Sequence, residues 1–251
     1  MTQTVNDTQR TTAIIVPCYN EARRFNTETY RSIISGFPQY MFCFVDDGST
    51  DDTLKVLRAF ESLHSNRVRV LTHTLNQGKA EAIRTGVNFL LTEQTTDFIG
   101  FMDADLSTPF TEIDCMDSIL RASDQLEIVC GSRIKRMGSR IIRKSARHYT
   151  GRIIATMISM LLKMPFYDTQ CGAKIMRLNV ATLCFKEPFS TSWLFDVEVF
   201  KRMQLHFKEQ TDQVIYEHPL REWIHIEESK VKLSYMFMLP IHLIMIHLKY
   251  K

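Results

Sequence analysis

Short, uninterrupted apolar runs alternate with amphipathic segments of helical length through the first half of the chain. The runs are Ala13–Pro17, Met41–Val45, Val68–Leu71, Phe98–Met102 and Ile128–Cys130. The segments of helical length lie near residues 21–35, 52–65, 78–91 and 110–123. Continuous hydrophobicity is typical of strands that are buried on both faces. The alternation therefore predicts an α/β fold, with a mostly parallel sheet, right-handed crossovers and flanking helices.

The second half of the chain shows a weaker pattern. A basic and then apolar stretch covers residues 133–166, a helix is predicted over 193–206, and a short pair of strands is predicted over 213–226. The last apolar run, Leu233–Leu248, has 16 residues, which is fewer than a helix needs to cross a bilayer. We therefore expect a terminal amphipathic helix that either packs on the domain or lies at a membrane interface.

Length and composition are those of one folded domain. The chain has 251 residues, of which 45% are hydrophobic and 24% are charged. We predict a flexible tail over residues 1–11, one domain over 12–232 and the C-terminal helix over 233–251. The six cysteines show no short paired spacing of the zinc or redox type, and no charged-then-apolar leader opens the chain. A reduced, cytoplasmic compartment is the expectation that follows.

Polar and acidic residues follow each of the five predicted strands. In parallel sheets of this kind, ligands bind outside the carboxyl ends of the strands. The residues at those ends are Tyr19-Asn20-Glu21, Asp46-Asp47-Gly48-Ser49, Asn76-Gln77-Gly78-Lys79, Asp103-Ala104-Asp105 and Gly131-Ser132-Arg133. The pattern predicts a polar ligand site along this edge of the sheet.

Asp103 and Asp105 flank a single residue at the end of one strand, so both carboxylates are predicted to face the same way. Two hard oxygen ligands suit Mg²⁺ or Mn²⁺, with water and substrate phosphates completing the coordination. Such a metal would offset the charge that builds on a departing diphosphate. The alternative is that Asp105 and Ser107 only cap a helix that begins near Pro109.

Asp46 and Asp47 end a different strand. An acidic residue at such a position can accept hydrogen bonds from a base or a ribose. The alternative is a simple turn, because the Asp-Gly-Ser sequence that follows is favourable in turns.

Four of these blocks together, in their order and spacing, resemble the family 2 glycosyltransferases, which have the GT-A fold. They are Pro17-Cys18-Tyr19-Asn20-Glu21, Val45 to Asp51, Asn76 to Lys79 and Asp103 to Asp105. Further blocks resemble the branch of dolichyl-phosphate glucosyltransferases and polyprenyl-phosphate sugar synthases, namely Gly131 to Arg133, Asp168 to Lys174, Trp193 to Glu198 and Trp223 to Val231. The resemblance implies an inverting hexosyltransferase that uses a UDP-sugar or GDP-sugar, a polyprenyl-phosphate acceptor and a divalent cation. UDP-glucose is the favoured donor.

The resemblance also implies roles for individual residues. The nucleotide-sugar site comprises Pro17, Tyr19, Glu21, Asp46, Asp47, Lys79, Asp103, Ala104 and Asp105. Within it, Asp103 and Asp105 face the metal and the diphosphate. The catalytic set is Asp168, Asp105 and Arg133, with Arg133 facing the phosphates.

Asp168 and Asp196 are the candidates for a general base or for orienting the acceptor, and we favour Asp168. The alternatives are a turn residue at Asp168 and, at Asp196, a surface position on a helix shared with Glu198. A phosphate monoester is largely ionised at neutral pH, because its second pKa is about 6. Cations that hold a phosphate acceptor therefore matter more than a base. No histidine has metal-ligand spacing to another, so none is assigned a role.

One block carries the whole excess of positive charge. Residues 128–167 contain nine Lys or Arg and no Asp or Glu, and without those nine the chain has 22 basic (31 − 9) against 28 acidic residues. Four cations at helical spacings are predicted to share one helical face and to bind the acceptor phosphate, namely Arg140, Arg143, Lys144 and Arg147. Nucleic acid is a poor alternative partner, because the block has few aromatic residues for base stacking.

An apolar stripe follows these cations. It comprises Ile153, Met157 and Leu161, with Ile154, Ile158 and Leu162 beside them. The stripe either lies in the acyl boundary of a membrane or packs internally or against a second copy, so a homo-oligomer is left open. With the cations before it, it defines an acceptor- and membrane-facing segment over residues 133–166, which predicts a peripheral protein on the cytoplasmic face of a membrane.

Two alternatives to the lipid-phosphate acceptor stay open. One is a family 2 enzyme that acts on a glycan or a soluble acceptor in polysaccharide synthesis. The other is a catalytically silent protein that only binds a nucleotide sugar. The intact Asp103/Asp105 pair argues against the silent protein.

Overall fold

The computed structural model describes residues 11–94, 96–142, 145–224 and 234–251, with the side chains of 145–150 and 234–237 excepted. Its strands are β1 (Thr12–Cys18), β2 (Tyr40–Asp46), β3 (Val68–Thr72), β4 (Phe98–Phe101), β5 (Ile128–Ser132), β6 (Arg140–Ile142), β7 (Lys174–Arg177), β8 (Ile215–Pro219) and β9 (Glu222–Ile224). Its helices are α1 (Thr27–Gly36), α2 (Thr53–Leu63), α3 (Lys79–Glu93), α4 (Phe110–Arg121), α5 (Ser145–Leu162), α6 (Leu178–Phe185), α7 (Phe195–Phe207) and α8 (Ser234–Lys249). All but the last residue of the predicted tail lie outside this part of the chain.

Seven strands form one sheet in the order β3-β2-β1-β4-β7-β5-β8. Every neighbouring pair is parallel except those of β7, which runs antiparallel to both β4 and β5. The five predicted strands of the first half are all present. The mostly parallel α/β sheet is therefore confirmed, with β7 inserted between two of the predicted strands.

The predicted pairing of two strands within residues 213–226 is wrong, although both strands exist. β8 pairs with β5 and β9 pairs with β6, both in parallel. Two backbone hydrogen bonds connect the two ladders: the N–H of Leu220 donates to the Ser132 carbonyl, and the N–H of Arg140 donates to the Arg221 carbonyl. The segment from β8 to β9 therefore runs alongside the segment from β5 to β6 in one direction. The second ladder thus continues the first, and the chain does not turn back on itself.

Helices cover both faces of the sheet, which explains the unbroken apolar runs. Ile14 belongs to the core under α1, α2 and α4, whereas Ile15 belongs to the core under α3, α5, α6, α7 and α8. Both side chains are 0% exposed. A strand buried on both faces needs apolar residues at successive positions.

The helical face predicted for the four cations is wrong at Arg140. This residue lies in β6, and its guanidinium pairs with Glu222 across the ladder at 3.1 Å. Helix α5 begins only at Ser145, so helical spacing does not connect Arg140 to the later cations. Arg143 and Lys144 lie outside the described residues. Arg147 lies in α5, and its side chain is outside the described part.

Most of the apolar stripe on α5 packs into the core. Ile158 and Leu162 are 0% exposed, and Ile154, Met157 and Leu161 pack against the same cluster. Internal packing, one of the two alternatives, therefore holds for these residues. Among the large apolar side chains of α5 that the structure describes, Ile153 and Met160 are exposed. Membrane contact by this helix stays a prediction for those two side chains.

Helix α8 also has one side in the core. Leu239, Leu243 and Ile246 are buried there. Among the side chains described from residue 238 onward, the exposed large apolar ones are Met238, Ile241, Ile244, Met245 and Leu248. Among the described residues, no helix is long and apolar enough to cross a bilayer.

Arg67 fastens the end of α1 to β2. Its guanidinium donates to the carbonyl oxygens of Ile34, Phe37 and Tyr40. We expect Arg67→Met to lower the free energy of unfolding by about 2–4 kcal/mol, because three carbonyls lose a charged donor. Urea unfolding followed by circular dichroism measures the change.

The matched control is Arg31→Met, which removes an exposed pair with Glu28. Such a surface pair contributes at most about 1 kcal/mol. Equal losses in the two variants would contradict the role given to Arg67.

Candidate active site

The strands β1, β2 and β4 end at one edge of the sheet, where the site is built. Cys18 and Asp46 are register partners at the ends of β1 and β2, and the backbone N–H of Asp47 donates to the Cys18 carbonyl at 2.8 Å. The backbone N–H of Met102, just after β4, donates to the Ile15 carbonyl at 3.1 Å. The structure therefore brings three of the predicted polar blocks together.

The loops that follow β1 and β2 bind each other. The Asn20 side chain accepts from the Thr50 backbone N–H at 2.8 Å, and the Asn20 N–H donates to the Ser49 hydroxyl at 2.9 Å. The Glu21 N–H donates to the Thr53 hydroxyl at 2.7 Å. These bonds fix the loop that carries Tyr19 and Glu21 directly above the end of β2.

Asp46 presents a buried acceptor at this edge. The residue is 2% exposed, and its Oδ2 accepts from the Thr72 hydroxyl at 3.2 Å. Among the described residues, its buried Oδ1 has no hydrogen-bond partner. A buried carboxylate oxygen without a donor costs free energy. The geometry thus suits a hydrogen bond from a ligand, in line with the predicted nucleoside contact.

Asp47 has a different task. Its Oδ1 accepts from the Gln77 backbone N–H and from His73, each at 2.8 Å, and its Oδ2 accepts from the Gly78 N–H at 2.8 Å. One carboxylate thereby shapes the loop that leads to Lys79 at the start of α3. A direct contact between Asp47 and a nucleotide stays a prediction.

Asp103 is held from two sides. Lys79 Nζ pairs with its Oδ1 at 2.5 Å. On the other side the backbone of Gly172 lies so close that a Cβ atom there would be 2.0 Å from Asp103 Oδ2. Desolvation disfavours the ionised carboxyl, but the positive charges of Lys79, Arg133 and Lys174 together outweigh it and lower the pKa of Asp103. Asp103 is therefore a fixed carboxylate.

Asp105, unlike Asp103, has no positively charged partner in the part of the chain that the structure describes. Its Oδ1 accepts from the Ser107 backbone N–H at 2.9 Å, and no cation of the described residues forms an ion pair with it. Burial, followed by the charge of Asp103, raises the pKa of Asp105. The alternative that Asp105 caps a helix is wrong, because α4 begins at Phe110 and receives no side-chain cap.

The donor set fits a hard divalent cation. Within the described residues, no three His, Cys, Asp or Glu side chains form a ready-made metal cluster. Two carboxylates that leave the remaining positions to water and substrate phosphates are the usual arrangement for Mg²⁺ at a phosphate site. Asp103 and Asp105 are the residues that would hold the ion.

Arg133 and Asp168 form a bidentate pair. Arg133 Nε donates to Asp168 Oδ2 at 2.6 Å and its Nη2 donates to Oδ1 at 2.8 Å. Burial disfavours the charged guanidinium, but Asp168 outweighs it and raises the pKa of Arg133. Both oxygens of Asp168 therefore accept charge-assisted hydrogen bonds from the same guanidinium. The geometry makes Asp168 the residue that orients Arg133, and its role as a general base stays a prediction.

The remaining predicted residues line the same edge. Pro17 lies within β1 opposite Val45. The carbonyl of Ala104, between the two metal-site carboxylates, accepts from the Tyr30 hydroxyl at 3.2 Å. Ala104 therefore acts through its backbone, which anchors the loop after β4.

The sequence analysis assigned no role to Lys174. For Asp196 it gave two interpretations, a candidate base or orienting residue and, as the alternative, a surface position on a helix. That alternative is wrong, because Asp196 is 5% exposed and lies 2.7 Å from Lys174 Nζ. Glu198 is 0% exposed as well. A signal was available, since apolar residues surround both acids in the run Phe195 to Phe200 and leave no polar helix face.

Comparisons with known proteins agree with this geometry. The sequence matches the profile of Glycosyl transferase family 2 over residues 13–182. It is 30% identical over 233 residues to the dolichyl-phosphate beta-glucosyltransferase of Mus musculus, a match that covers 87% of this chain and 69% of the relative. The enzyme of the same name from Saccharomyces cerevisiae is 25% identical over 252 residues, which covers 88% of this chain and 69% of the relative.

A solved structure shares the fold. Glucosyl-3-phosphoglycerate synthase from Mycobacterium tuberculosis, in complex with Mn²⁺, UDP-glucose and phosphoglyceric acid, aligns with a TM-score of 0.66 at 18% identity, over 96% of this chain and 79% of that one. The GT-A fold class is thereby confirmed. The family match runs from β1 through the Asp103/Asp105 pair to α6, and we conclude that the chain belongs to glycosyl transferase family 2 and is a glycosyltransferase.

Proposed function

We propose that this glycosyltransferase transfers glucose from UDP-glucose to a polyprenyl phosphate, with inversion and with Mn²⁺ or Mg²⁺ bound at Asp103 and Asp105. The observation that carries the proposal is Asp105, a carboxylate with a raised pKa beside the fixed carboxylate of Asp103. A divalent cation supplies the charge that this pair needs, and it neutralises the diphosphate that leaves. The names of the mouse and yeast relatives support the donor sugar and the acceptor.

Asp46 is the candidate acceptor for the nucleoside base. Uracil offers one N–H between two carbonyls, and Asp46 presents one buried oxygen that no described residue bonds. Its other oxygen accepts from Thr72, but a carboxylate oxygen can accept a second bond, so the two adjacent N–H donors of guanine fit as well. The preference for a UDP-sugar is supported by the UDP-glucose complex of the Mycobacterium tuberculosis synthase, which shares the fold.

We expect Asp46→Asn to weaken UDP binding about tenfold, since a neutral amide is a poorer acceptor than a carboxylate. Isothermal titration calorimetry measures the dissociation constant. Asp52→Asn is the control, because Asp52 is exposed and makes no side-chain cap bond at the start of α2. Unchanged UDP affinity in Asp46→Asn would remove this residue from the nucleoside site.

The residues around the reacting groups have separable tasks. Lys79 holds Asp103, and Asp168 orients Arg133. The Nη1 group of Arg133 takes no part in that pair, so it is the group that can donate to a phosphate. The acceptor phosphate is already largely ionised at neutral pH, with a second pKa of about 6. The reaction therefore needs orientation and cations more than it needs a proton acceptor.

A groove beside α5 suits the first part of an isoprenoid chain. Its volume is about 570 Å³, and Met160, Met164 and Phe166 line it together with the cations Arg152 and Lys163. Tyr167, which also lines the groove, directly precedes Asp168. A polyprenyl phosphate with its phosphate at Arg133 would thus enter the groove with its apolar chain. We propose peripheral contact with the cytoplasmic face of a membrane on this side.

We expect Arg143→Ala and Arg147→Ala each to raise the KM for polyprenyl phosphate about tenfold, because each removes a cation that attracts the acceptor phosphate. UDP binding should not change. Arg140→Ala is the comparison, and a smaller effect is expected, because its guanidinium pairs with Glu222 in the β6–β9 ladder. Loss of UDP binding in Arg143→Ala or Arg147→Ala would contradict this division of the site.

The test of the proposed function uses purified protein with Mn²⁺ or Mg²⁺, UDP- and GDP-sugars, and polyprenyl phosphate in detergent. A lipid-linked sugar that disappears with EDTA is the expected product. Transfer to a soluble glycan alone would overturn the acceptor. Metal-dependent donor binding without turnover would show a catalytically silent protein.

A further inference from the structure

Lys174 is a fully buried cation in the middle of the sheet. It lies at the start of β7, opposite Phe101 of β4 and Cys130 of β5, and it is 0% exposed. Its ammonium group lies 2.7 Å from Asp196 Oδ1, and it donates to the carbonyl oxygens of Thr169 at 3.0 Å and Cys171 at 2.9 Å. The ammonium therefore donates hydrogen bonds to two loop carbonyls and forms an ion pair with Asp196, whose Oδ1 has no hydrogen-bond partner among the described residues.

Sheet packing does not require this charge. Phe101 and Phe200 lie within 6.0 Å of the ammonium, so an apolar side chain would find apolar neighbours there. Moving two charges out of water carries a large desolvation cost, which their mutual attraction must first offset. Besides its ion pair with Asp196, the ammonium makes hydrogen bonds to the backbone of the loop just before β7.

That loop determines where Asp103 lies. Gly172 follows the two carbonyls that Lys174 binds. It lies so near Asp103 that a Cβ atom on it would be 2.0 Å from Oδ2. Lys79 holds the other oxygen of the same carboxylate. At the far end of the loop, the backbone N–H groups of Tyr167 and Asp168 donate to the carboxylate of Glu217 at 2.9 Å and 2.6 Å.

We propose that Lys174 and Asp196 are positioning residues for the metal site. The pair fixes the loop over residues 169–172, and through Gly172 it fixes the carboxylate of Asp103 in the orientation that receives a divalent cation. Asp196 anchors the ammonium from the first turn of α7, so the second half of the chain aligns a ligand at the end of β4. This inference rests on the proposed function in one respect, since it takes Asp103 as a metal ligand.

The test is the double variant Lys174→Met/Asp196→Asn, which removes both charges and leaves neither ion unpaired. The main readout is the affinity for Mn²⁺ in the presence of UDP, measured by electron paramagnetic resonance without turnover. We expect a loss of about 10- to 100-fold, as for other residues that orient metal ligands. With UDP-glucose, kcat should fall while the KM for the acceptor stays within about twofold.

Lys201→Met is the matched control, since Lys201 is a partly buried lysine of α7 that donates to the Leu161 carbonyl, away from the site. It should leave Mn²⁺ affinity unchanged. If the double variant does not fold, Asp196→Asn alone serves, because it keeps an oxygen acceptor for Lys174, and the expected loss of Mn²⁺ affinity is about 3- to 10-fold.

The positioning role is overturned by a folded variant that binds Mn²⁺ with UDP as the unmodified protein does, even if its melting temperature is lower. An unmodified protein that binds no Mn²⁺ in the presence of UDP also overturns it. If the unmodified protein transfers no sugar to polyprenyl phosphate but the variant loses Mn²⁺ affinity, the proposed acceptor fails and the positioning role stands.

Discussion

Replacing Asp105 with alanine is expected to lower kcat/KM for sugar transfer by about 10²- to 10³-fold, which is the size of effect that follows loss of one preorganised charge-stabilising group. Asp105 is the carboxylate that no described cation neutralises, so the metal and the diphosphate depend on it most. Transfer from UDP-glucose at saturating Mn²⁺ measures the effect.

The fold should survive this change. Burial and the charge of Asp103 raise the pKa of Asp105, so ionisation of this residue is less favourable in the folded protein without a metal than in the unfolded chain. With EDTA present, Asp105→Ala should therefore melt at or above the temperature of the unmodified protein. Asp124→Ala, at an exposed position after α4, is the control for both readouts. Full activity in Asp105→Ala would remove the metal from the proposed mechanism.

Gly172→Ala is expected to have the second-largest effect, a loss of about 10²-fold in kcat/KM, as follows when a reacting geometry is displaced by about 1 Å. The added Cβ atom would lie 2.0 Å from Asp103 Oδ2 and 2.5 Å from its Cγ. The carboxylate must then leave its place, and its ion pair with Lys79 must stretch. Mn²⁺ affinity in the presence of UDP, together with transfer activity, measures the displacement.

Gly36→Ala provides a matched control. It makes the same chemical change at the end of α1, where an added Cβ meets nothing within 4 Å. Alanine there should raise stability by about 0.4–1 kcal/mol, because it restricts the unfolded chain. Normal Mn²⁺ affinity in Gly172→Ala would show that the loop does not constrain Asp103.

The sequence predicted the parallel part of the fold well, because doubly buried strands leave a strong signal. All five apolar runs of the first half are strands. β7 was harder to predict, since its run of Lys174 to Arg177 begins and ends with a cation. Local pattern cannot show that a lysine is buried, because burial depends on Asp196, which is distant along the chain.

Boundaries differed where side chains bind the backbone. The first helix was predicted from residue 21, but α1 begins at Thr27. The backbone N–H groups of Glu21 and Ala22 donate to the side chains of Thr53 and Asp51, so this segment forms a loop and not the first turn of a helix. Tertiary hydrogen bonds of this kind override local helix propensity, and the sequence of the segment alone does not reveal them.

The candidate site also has a part that could be predicted from the sequence and a part that could not. The residues predicted to bind the nucleotide sugar were found from motifs at strand ends, because a parallel sheet places the ends of its strands along one edge. The rest of the site depends on ion pairs between distant residues, such as Arg133 with Asp168 and Lys174 with Asp196. The basic block shows the limit of counting by spacing, because a strand, β6, interrupts the helical register at Arg140.

The insertion of β7 between β4 and β5 has a consequence for how the chain is made. A ribosome releases β4 and β5 long before β7, which is complete only at Arg177. Until then the two strands lack their shared neighbour, and the edge of β4 is unpaired. The nucleoside half can assemble during synthesis, whereas the loop that aligns Asp103 needs β7 and also Asp196 of α7 and Glu217 of β8, which are synthesised later. A nascent fragment that ends before Arg177 should therefore retain the nucleoside contacts without an aligned metal site.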